Sequence, residues 1–207
     1  MRIIVVANGV MRSHFTLEGD DVLIAADGGL RHCLDLGLQP AILIGDMDSI
    51  NEGDLAALES SGTQILQYPT QKDFTDLELA LQHALKLSPD EIVIVAALGA
   101  RWDQTIANLL LPVLFPSVKI SLLDGSQEIH YIRSGEKLEI HGRHGDMVSL
   151  IPLAGKVCGV TSEHLEYPLQ GGELTFGSTR GISNVLLEET GTISINDGLL
   201  LCIVNHQ

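Results

Sequence analysis

The sequence predicts an α/β N-terminal domain with a mainly parallel sheet, followed by an all-β sandwich C-terminal domain. Up to about residue 125, short apolar runs alternate with helical stretches, which is the pattern of strands buried on both faces of a parallel sheet. From residue 126 onward, short strand-like runs are separated by Gly, Pro and His-Gly turns, as in an antiparallel sandwich or barrel. We therefore expect domains at 1–125 and 126–207.

Each element of the first half follows from its residue pattern. The continuously apolar runs predict strands at 3–7, 22–26, 41–44, 92–98 and 118–123. Helical spacing predicts helices at 30–36, 53–60, 74–87 and 105–114. The clearest helix carries an apolar stripe, at steps of three and four residues, from Phe74 to Leu85.

The second half contains only strand signals. Strands are predicted at 128–132, 137–140, 147–151, 156–160, 192–195 and 199–204.

Composition restricts the partners and the compartment. The formal net charge is -15, which repels nucleic acid. No apolar run approaches the length of a membrane span, so we expect no membrane partner. The chain has three cysteines without metal-site spacing, which argues against a disulfide framework or a zinc site and favours a reducing cytoplasm.

An acidic pair follows the third predicted strand, in Gly45-Asp46-Met47-Asp48. Alternate residues of a strand point the same way, so Asp46 and Asp48 could present oxygen ligands to one Mg2+ ion that carries nucleotide phosphates. A turn is an equally good interpretation of these residues taken alone. Other polar residues, including Asp27 and Arg101, also follow apolar runs, and the carboxyl ends of parallel strands share one edge of a sheet.

A second acidic segment, Lys72-Asp73-Phe74-Thr75-Asp76, leads into the clearest helix. Asp73 could be the N-cap and Asp76 could lie in the first turn, where carboxylates favour the helix dipole. The capping interpretation leaves Lys72 unexplained, whereas a lysine among metal-binding carboxylates could hold a phosphate oxygen.

Together these motifs resemble the thiamine pyrophosphokinase family. The matching segments, in chain order, are Ala-Asp27-Gly-Gly, Gly45-Asp46-Met-Asp48-Ser49, Lys72-Asp73-x-Thr75-Asp76, Gly99-Ala-Arg101-Trp-Asp103-Gln104 and Gly181-Ile-Ser183-Asn184. The resemblance implies transfer of the pyrophosphoryl group of ATP to the hydroxyl of thiamine, giving thiamine diphosphate and AMP. It also implies a homodimer with sites at the subunit interface, the catalytic domain of one subunit meeting the sandwich of the other.

The resemblance also implies roles for individual residues. The Mg2+ ligands would be Asp46, Asp48 and Asp73, and the ATP site would include Asp27, Ser49, Lys72 and Arg101. The thiamine site would include Asp76, Asp103, Gln104, Tyr167, Ser183 and Asn184. Asp103 could also accept the hydroxyl proton, so the catalytic set would be Asp46, Asp48, Asp73, Lys72 and Asp103.

Several of these residues have a structural alternative. Ser183 and Asn184 could belong to a turn between strands, and Tyr167 could fill the core instead of stacking on a ring. Trp102 could pack behind the site.

Two other functions compete with this interpretation. One is a pyrophosphokinase on the same scaffold that acts on another heterocyclic alcohol, such as a pterin. The other is a nucleotide-binding protein without turnover.

Overall fold

The chain forms two compact units, Met1–Gly125 and Ser126–Gln207. They are seen in a computed structural model that describes residues 1–48, 50, 52–99 and 101–207. We call them the first unit and the second unit.

The first unit contains a parallel sheet. Its strands are β1 (Arg2–Val6), β2 (Val22–Ala26), β3 (Ile42–Gly45), β4 (Gln64–Gln67), β5 (Glu91–Val95) and β6 (Lys119–Asp124). They lie in the order β6-β5-β1-β2-β3-β4, and every neighbouring pair is parallel. The chain extends to one side of β1 with β2 to β4 and returns to its other side with β5 and β6. Ligands bind at the carboxyl ends of strands where an α/β sheet reverses its order in this way, here between β1 and β5.

Helices accompany this sheet. They are α1 (Gly29–Asp35), α2 (Glu52–Ser60), α3 (Asp76–Lys86) and α4 (Trp102–Leu110), and a 3-10 helix, Leu111–Leu114, follows α4. Helix α1 packs against β1 and β2, and α3 packs against β1, β2 and β3. The apolar stripe of α3 is buried at Leu77, Leu81 and Ala84. Burial of this stripe and of the continuous apolar strands supplies the hydrophobic stabilisation of the first unit.

The second unit is built from antiparallel strands. These are β7 (Gln127–Arg133), β8 (Lys137–His141), β9 (Met147–Pro152), β10 (Lys156–Glu163), β11 (Gly172–Thr175), β12 (Asn184–Val185), β13 (Thr190–Ser194) and β14 (Leu199–Asn205). One sheet has the order β12-β9-β14-β7, and the other has the order β11-β10-β13-β8. One apolar cluster joins the inner faces, with Leu150 and Cys202 from the first sheet and Val157 and Ile193 from the second. This is the layered arrangement of a sandwich.

The structure confirms the predicted fold class and adds three strands. Strand β4 carries only two apolar residues in Gln-Ile-Leu-Gln and is half-exposed at the sheet edge. Strand β11 carries a single apolar residue in Gly-Glu-Leu-Thr, and β12 has only two residues. Helix α4 begins before the predicted residue 105 and gives way to the 3-10 helix where Pro112 provides no backbone donor. Phe74 was expected in the stripe of α3, but it precedes the helix and is exposed. No helix in the described part of the chain is long and apolar enough to cross a membrane.

Candidate active site

A cavity of about 240 Å3 lies at the carboxyl ends of β1, β2 and β5, where the strand order reverses. Its lining comes from the carboxyl ends of these strands and the residues that follow them, from the beginning of α3, and from one face of α4. The polar members are Asn8, Asp27, Thr75, Asp76, Gln104 and Asn108. The separated polar segments predicted to share one sheet edge therefore do converge. Carboxamides and carboxylates can hydrogen-bond a planar heterocycle with amino groups, and the carboxylates also attract a cation.

Three carboxylates of the first unit come together beside β2 and β3. Side-chain oxygens of Asp27, Asp46 and Asp48 all lie within 4.8 Å of one another. Asp27 follows β2 and Asp46 follows β3, so the pairing of these two parallel strands sets their separation. Mg2+ prefers such hard oxygen ligands and commonly uses one or two carboxylates together with substrate phosphates.

Glycine permits the close approach of these carboxylates. A Cβ atom on Gly45, at the end of β3, would lie 3.0 Å from the Cβ of Asp27. This contact is tighter than van der Waals separation, so a larger residue would push Asp27 away from Asp46. Asp27 itself has φ 46°, a conformation uncommon for residues other than glycine, and its amide donates to the carbonyl of Ile44 at 2.7 Å. The sharp turn after β2 is thereby fixed to β3.

Lys72 joins the acidic group to the cavity wall. Its Nζ lies 3.0 Å from Oδ1 of Asp76 and 3.7 Å from Oδ2 of Asp46, and its side chain is only 13% exposed. Asp76 Oδ1 is buried and has no well-aligned hydrogen bond among the described residues, so the ammonium gives it charge compensation without good bond geometry. An additional cation or donor in the cavity would satisfy this oxygen.

The charges of the group act on one another. The pKa of Asp46 is lowered, first by the hydrogen bond from the Asp48 amide and further by the charge of Lys72. The pKa of Asp48 is raised, chiefly by repulsion from Asp46. Burial opposes the charge of Lys72, but the close contact with Asp76 and the attraction of Asp76 and Asp46 raise the pKa of the lysine above its usual value. The group is thus an excess of negative charge held around one ammonium, and a divalent cation would relieve its repulsion.

Helix α3 begins differently from the prediction. Its N-cap is Thr75, whose Oγ1 accepts a hydrogen bond from the amide of Glu78 at 3.2 Å. The capping alternative for Asp73 is therefore wrong: Asp73 lies in the turn before the helix and is exposed. The sequence did contain the signal, because Thr75 and Glu78 have the spacing of a capping box. Asp76 is the first residue of α3, as the prediction of a first-turn position required.

Arg101 and Asp103 stand at the start of α4. The Nε of Arg101 donates to Oδ1 of Asp103 at 3.1 Å, a second bond joins the other guanidinium and carboxylate atoms, and both side chains are about two-thirds exposed. This hydrogen bond from Arg101 lowers the pKa of Asp103, which makes the carboxylate a weaker base. Trp102 does not pack behind the site, since its side chain is 82% exposed.

The second unit contains a separate pocket of about 420 Å3. It is lined by Tyr167, Arg180, Ile182, Asn184 and their neighbours. Tyr167 is 65% exposed, so it does not fill the core. The side-chain amide of Asn184 is bonded to the backbone of Tyr167 in both directions, and Ser183 has φ 60°.

Comparisons with known proteins identify both units. A family model described as "Thiamin pyrophosphokinase, catalytic domain" matches residues 14–122, and one described as "Thiamin pyrophosphokinase, vitamin B1 binding domain" matches residues 128–200. The chain belongs to the thiamin pyrophosphokinase family. The predicted family, and with it the predicted enzyme class, is confirmed.

Individual members of the thiamin pyrophosphokinase family agree with this assignment. Thiamine pyrophosphokinase of Bacillus subtilis is 35% identical over 87% of this chain and 85% of its own length. The crystal structure of that enzyme superposes with a TM-score of 0.90 and covers 100% of both chains. A family member from Enterococcus faecalis superposes with a TM-score of 0.86 at 27% identity, again over 100% of both chains.

The structure relates most of the residues predicted from the thiamin pyrophosphokinase resemblance to two places. Asp27, Asp46, Asp48, Lys72, Asp76 and Gln104 lie in or beside the acidic group and the cavity, while Tyr167 and Asn184 line the pocket of the second unit. Among the described residues Asp73 is not part of the carboxylate group, where Asp27 stands instead. Ser49 lies outside the described residues.

Two lining residues, Asn8 and Asn108, stand in segments that the sequence pattern singled out but were given no role in the site. Asn8 follows β1, and a Cβ on Gly28 would lie 2.4 Å from its carboxamide, so the missing side chain of Gly28 makes room for Asn8. Asn108 lies in α4 and donates from Nδ2 to the carbonyl of Ala97 at 2.8 Å. The position of Asn8 directly after a predicted strand was a usable signal, whereas the tie between Asn108 and Ala97 depends on tertiary packing.

Proposed function

We propose that the chain transfers the pyrophosphoryl group of ATP to the hydroxyl of thiamine, giving thiamine diphosphate and AMP. The observation that carries this proposal is the acidic group of Asp27, Asp46 and Asp48 beside a cavity lined by carboxamides and carboxylates. Such a site provides for a metal with phosphates and, next to it, for a cationic heterocycle. Membership of the thiamin pyrophosphokinase family supports the same reaction.

The metal in this proposal is Mg2+, held by Asp46 and Asp48 with Asp27 as the third carboxylate. The family resemblance implied Asp73 as the third ligand, but it is the side-chain oxygens of Asp27 that lie within 4.8 Å of those of Asp46 and Asp48. Bound Mg2+ would neutralise phosphate charge and link the carboxylates to the polyphosphate chain. The buried, poorly bonded Oδ1 of Asp76 and the repulsion between Asp46 and Asp48 support a cation here.

Lys72 and Arg101 are the proposed phosphate contacts. The half-buried ammonium of Lys72 is already fixed between Asp46 and Asp76, so it can bind a phosphate oxygen without losing further side-chain freedom. Arg101 must exchange its carboxylate partner for a phosphate, and this exchange is easy because its pair with Asp103 is exposed to solvent. We keep Ser49 in the ATP site on the strength of the resemblance.

Thiamine recognition is proposed to use both units. In the first unit, Asp76 and Gln104 would face the vitamin, and the negative charge of the site favours its thiazolium cation. In the second unit, Tyr167 borders the pocket and would stack on an aromatic ring. A hydroxyl contact from Ser183 is proposed from the family resemblance alone. Asp103 is an unfavourable general base because its pKa is lowered, and loose phosphoryl transfer needs little help from a base.

We further propose a homodimer in which helix α4 contributes to the interface. None of the described residues of α4 is buried within the chain. Trp102, Ile106 and Leu110 recur every four residues and are 82%, 55% and 44% exposed, so they form one apolar stripe. A contiguous apolar surface of this kind marks a protein interface. A dimer would also let the catalytic domain of one subunit meet the sandwich of the other, and a reducing cytoplasm fits the free cysteines.

The test is an assay for AMP in the presence of ATP and Mg2+ with either thiamine or a pterin alcohol. Thiamine-dependent AMP formation, with thiamine diphosphate as the second product, is expected. AMP formation with the pterin alcohol but not with thiamine would show that the substrate is another heterocyclic alcohol. Tight ATP binding without AMP from either alcohol would indicate a nucleotide-binding protein.

A further inference from the structure

The side chain of Asn184 is hydrogen-bonded to both backbone polar groups of Tyr167. Its Oδ1 accepts a hydrogen bond from the Tyr167 amide at 3.0 Å, and its Nδ2 donates to the Tyr167 carbonyl at 2.8 Å. The same Oδ1 also accepts from the amide of Val185 at 2.9 Å. The carboxamide therefore pairs with both backbone groups of Tyr167, as a residue of an adjacent strand would.

These bonds extend an existing backbone ladder. Leu165 pairs with Leu186, and the amide of Glu166 donates to the carbonyl of Val185 at 2.9 Å. Tyr167 is the next residue along the chain, and here the Asn184 side chain replaces the backbone partner. The residue before Pro168 is thus held in place although it lies beyond the last backbone pair.

The bonding capacity of Asn184 is nearly used up. A carboxamide oxygen accepts two hydrogen bonds and its nitrogen donates two. Both acceptor positions of Oδ1 are occupied, and one N–H of Nδ2 remains. An aminopyrimidine presents donors and acceptors in fixed places, so Asn184 cannot offer it the paired donor and acceptor that its residue type suggests.

The fixed backbone orients an exposed aromatic ring. The Tyr167 side chain is 65% exposed and borders the pocket of about 420 Å3 in the second unit. Holding the backbone of an exposed aromatic residue before the ligand arrives lowers the entropic cost of stacking.

We propose that Asn184 is a positioning residue that holds Tyr167 in its stacking orientation for thiamine and does not itself bind the vitamin. This proposal rests on the proposed function. It changes the role expected for Asn184 from the sequence.

The test is a double-mutant cycle with Asn184→Ala and Tyr167→Ala, read as the KM for thiamine, the KM for ATP and kcat. Each single variant is expected to raise the KM for thiamine about tenfold, equivalent to about 1.4 kcal/mol, with the KM for ATP unchanged. The double variant is also expected to show about tenfold, because without the ring there is nothing for Asn184 to position. The matched control is Asn205→Ala. Asn205 does not line the pocket and accepts a hydrogen bond from Ser126, so this variant should keep the wild-type KM for thiamine.

A double variant with about a hundredfold increase would show that Asn184 contacts thiamine independently, and an unchanged KM in Asn184→Ala would show that it has no part in recognition. Either result overturns the proposal. If Asn184→Ala does not fold, Asn184→Asp replaces it in the cycle, since it removes the donor to the Tyr167 carbonyl and keeps the size of the side chain. If the wild-type enzyme forms no AMP with thiamine, the proposed function is refuted. An additive double-mutant cycle, in contrast, refutes only the role proposed for Asn184.

Discussion

Replacing Lys72 by Met would test the electrostatics of the acidic group. The ammonium lies 3.0 Å from Asp76 and 3.7 Å from Asp46, and Met keeps most of the apolar stem while removing the charge. Two carboxylates would then lose their shared cation. We expect the metal-free protein to become less stable and more responsive to Mg2+.

The magnitude follows from the distances. With an effective dielectric constant of about 20, unit charges at these separations attract by about 5.5 and 4.5 kcal/mol. Desolvation of the charges offsets much of this attraction. Breaking a buried pair costs about 3–5 kcal/mol, and the carboxylates here keep 26% and 15% exposure, so we expect about 3 kcal/mol. For a chain of 207 residues this corresponds to a fall in Tm of about 9 °C.

The assay is thermal unfolding of the wild-type and Lys72→Met proteins, each with a chelator and with excess Mg2+. Binding of Mg2+ to the folded state alone should stabilise both proteins, and it should stabilise the variant more because its site is more negative. Lys86→Met, which changes an exposed lysine in the last turn of α3, is the matched control and should stay near the wild-type Tm.

Two results would refute this reasoning. A chelated Lys72→Met protein within about 0.5 kcal/mol of the wild type would show that the two contacts have no net effect on stability. An equal Mg2+ response in both proteins would show that Lys72 and the cation do not interact through the same carboxylates.

Three further perturbations test other parts of the structure. Asp48→Asn should abolish AMP formation while the circular dichroism spectrum is retained, because it removes a ligand oxygen from an exposed position and relieves repulsion with Asp46. Ile106→Glu should shift the protein from dimer to monomer in sedimentation, since it places a charge in the apolar stripe of α4. Asp146→Asn should destabilise the second unit at neutral pH by about 1–3 kcal/mol in urea unfolding, because a buried, hydrogen-bonded carboxylate is lost.

The sign of the pH dependence of Asp146 follows from its bonds. Burial works to raise its pKa, but hydrogen bonds from His206 and from the amides of Arg143 and Gln207 outweigh burial, and the pKa is lowered below 3.8. The stabilisation is therefore fully present above about pH 4 and is lost as the pH falls through the folded-state pKa. The difference in unfolding free energy between wild type and Asp146→Asn should shrink below about pH 4.

Each of these predictions has a contradicting result. Near-wild-type turnover by Asp48→Asn would show that Asp48 is not a metal ligand. The control for this variant is Glu59→Gln, on the exposed surface of α2. An Ile106→Glu protein that sediments like the wild type would show that α4 is not part of the dimer interface. A difference between wild type and Asp146→Asn that is constant from neutral pH to well below pH 4 would show that the carboxylate does not titrate with unfolding.

The part of the site that could be predicted from the sequence consists of polar residues at the carboxyl ends of strands. Asp46 and Asp48 follow a continuously apolar run, and a parallel sheet brings such ends together whatever the loop details are. Local signals were also decisive for Lys72 and Asp76, which are four residues apart and form an ion pair at the start of α3. These positions depend on short-range spacing and on the regular geometry of strands.

The choice of the third carboxylate could not be made from spacing alone. Asp73 and Asp27 both lie in segments predicted to contribute to the site. In the structure, however, Thr75 caps α3 and leaves Asp73 in an exposed turn. Asp27 reaches the group because β2 pairs with β3 and because Gly45 has no side chain. The hydrogen bonds of Asn184 could not be predicted from the sequence either. An asparagine can contact a ligand directly, and only the fold shows that its carboxamide is bonded to the backbone of Tyr167.

In the proposed homodimer, helix α4 would make catalysis depend on protein concentration. Its residues Gln104 and Asn108 form one wall of the cavity, and within the chain the helix is attached through polar bonds such as Asn108 to Ala97 and Thr105 to Gly99. If its apolar stripe is covered only on association, the wall is most firmly held in the dimer. Specific activity should then fall when the enzyme is diluted below its dissociation constant, and thiamine should favour association by mass action.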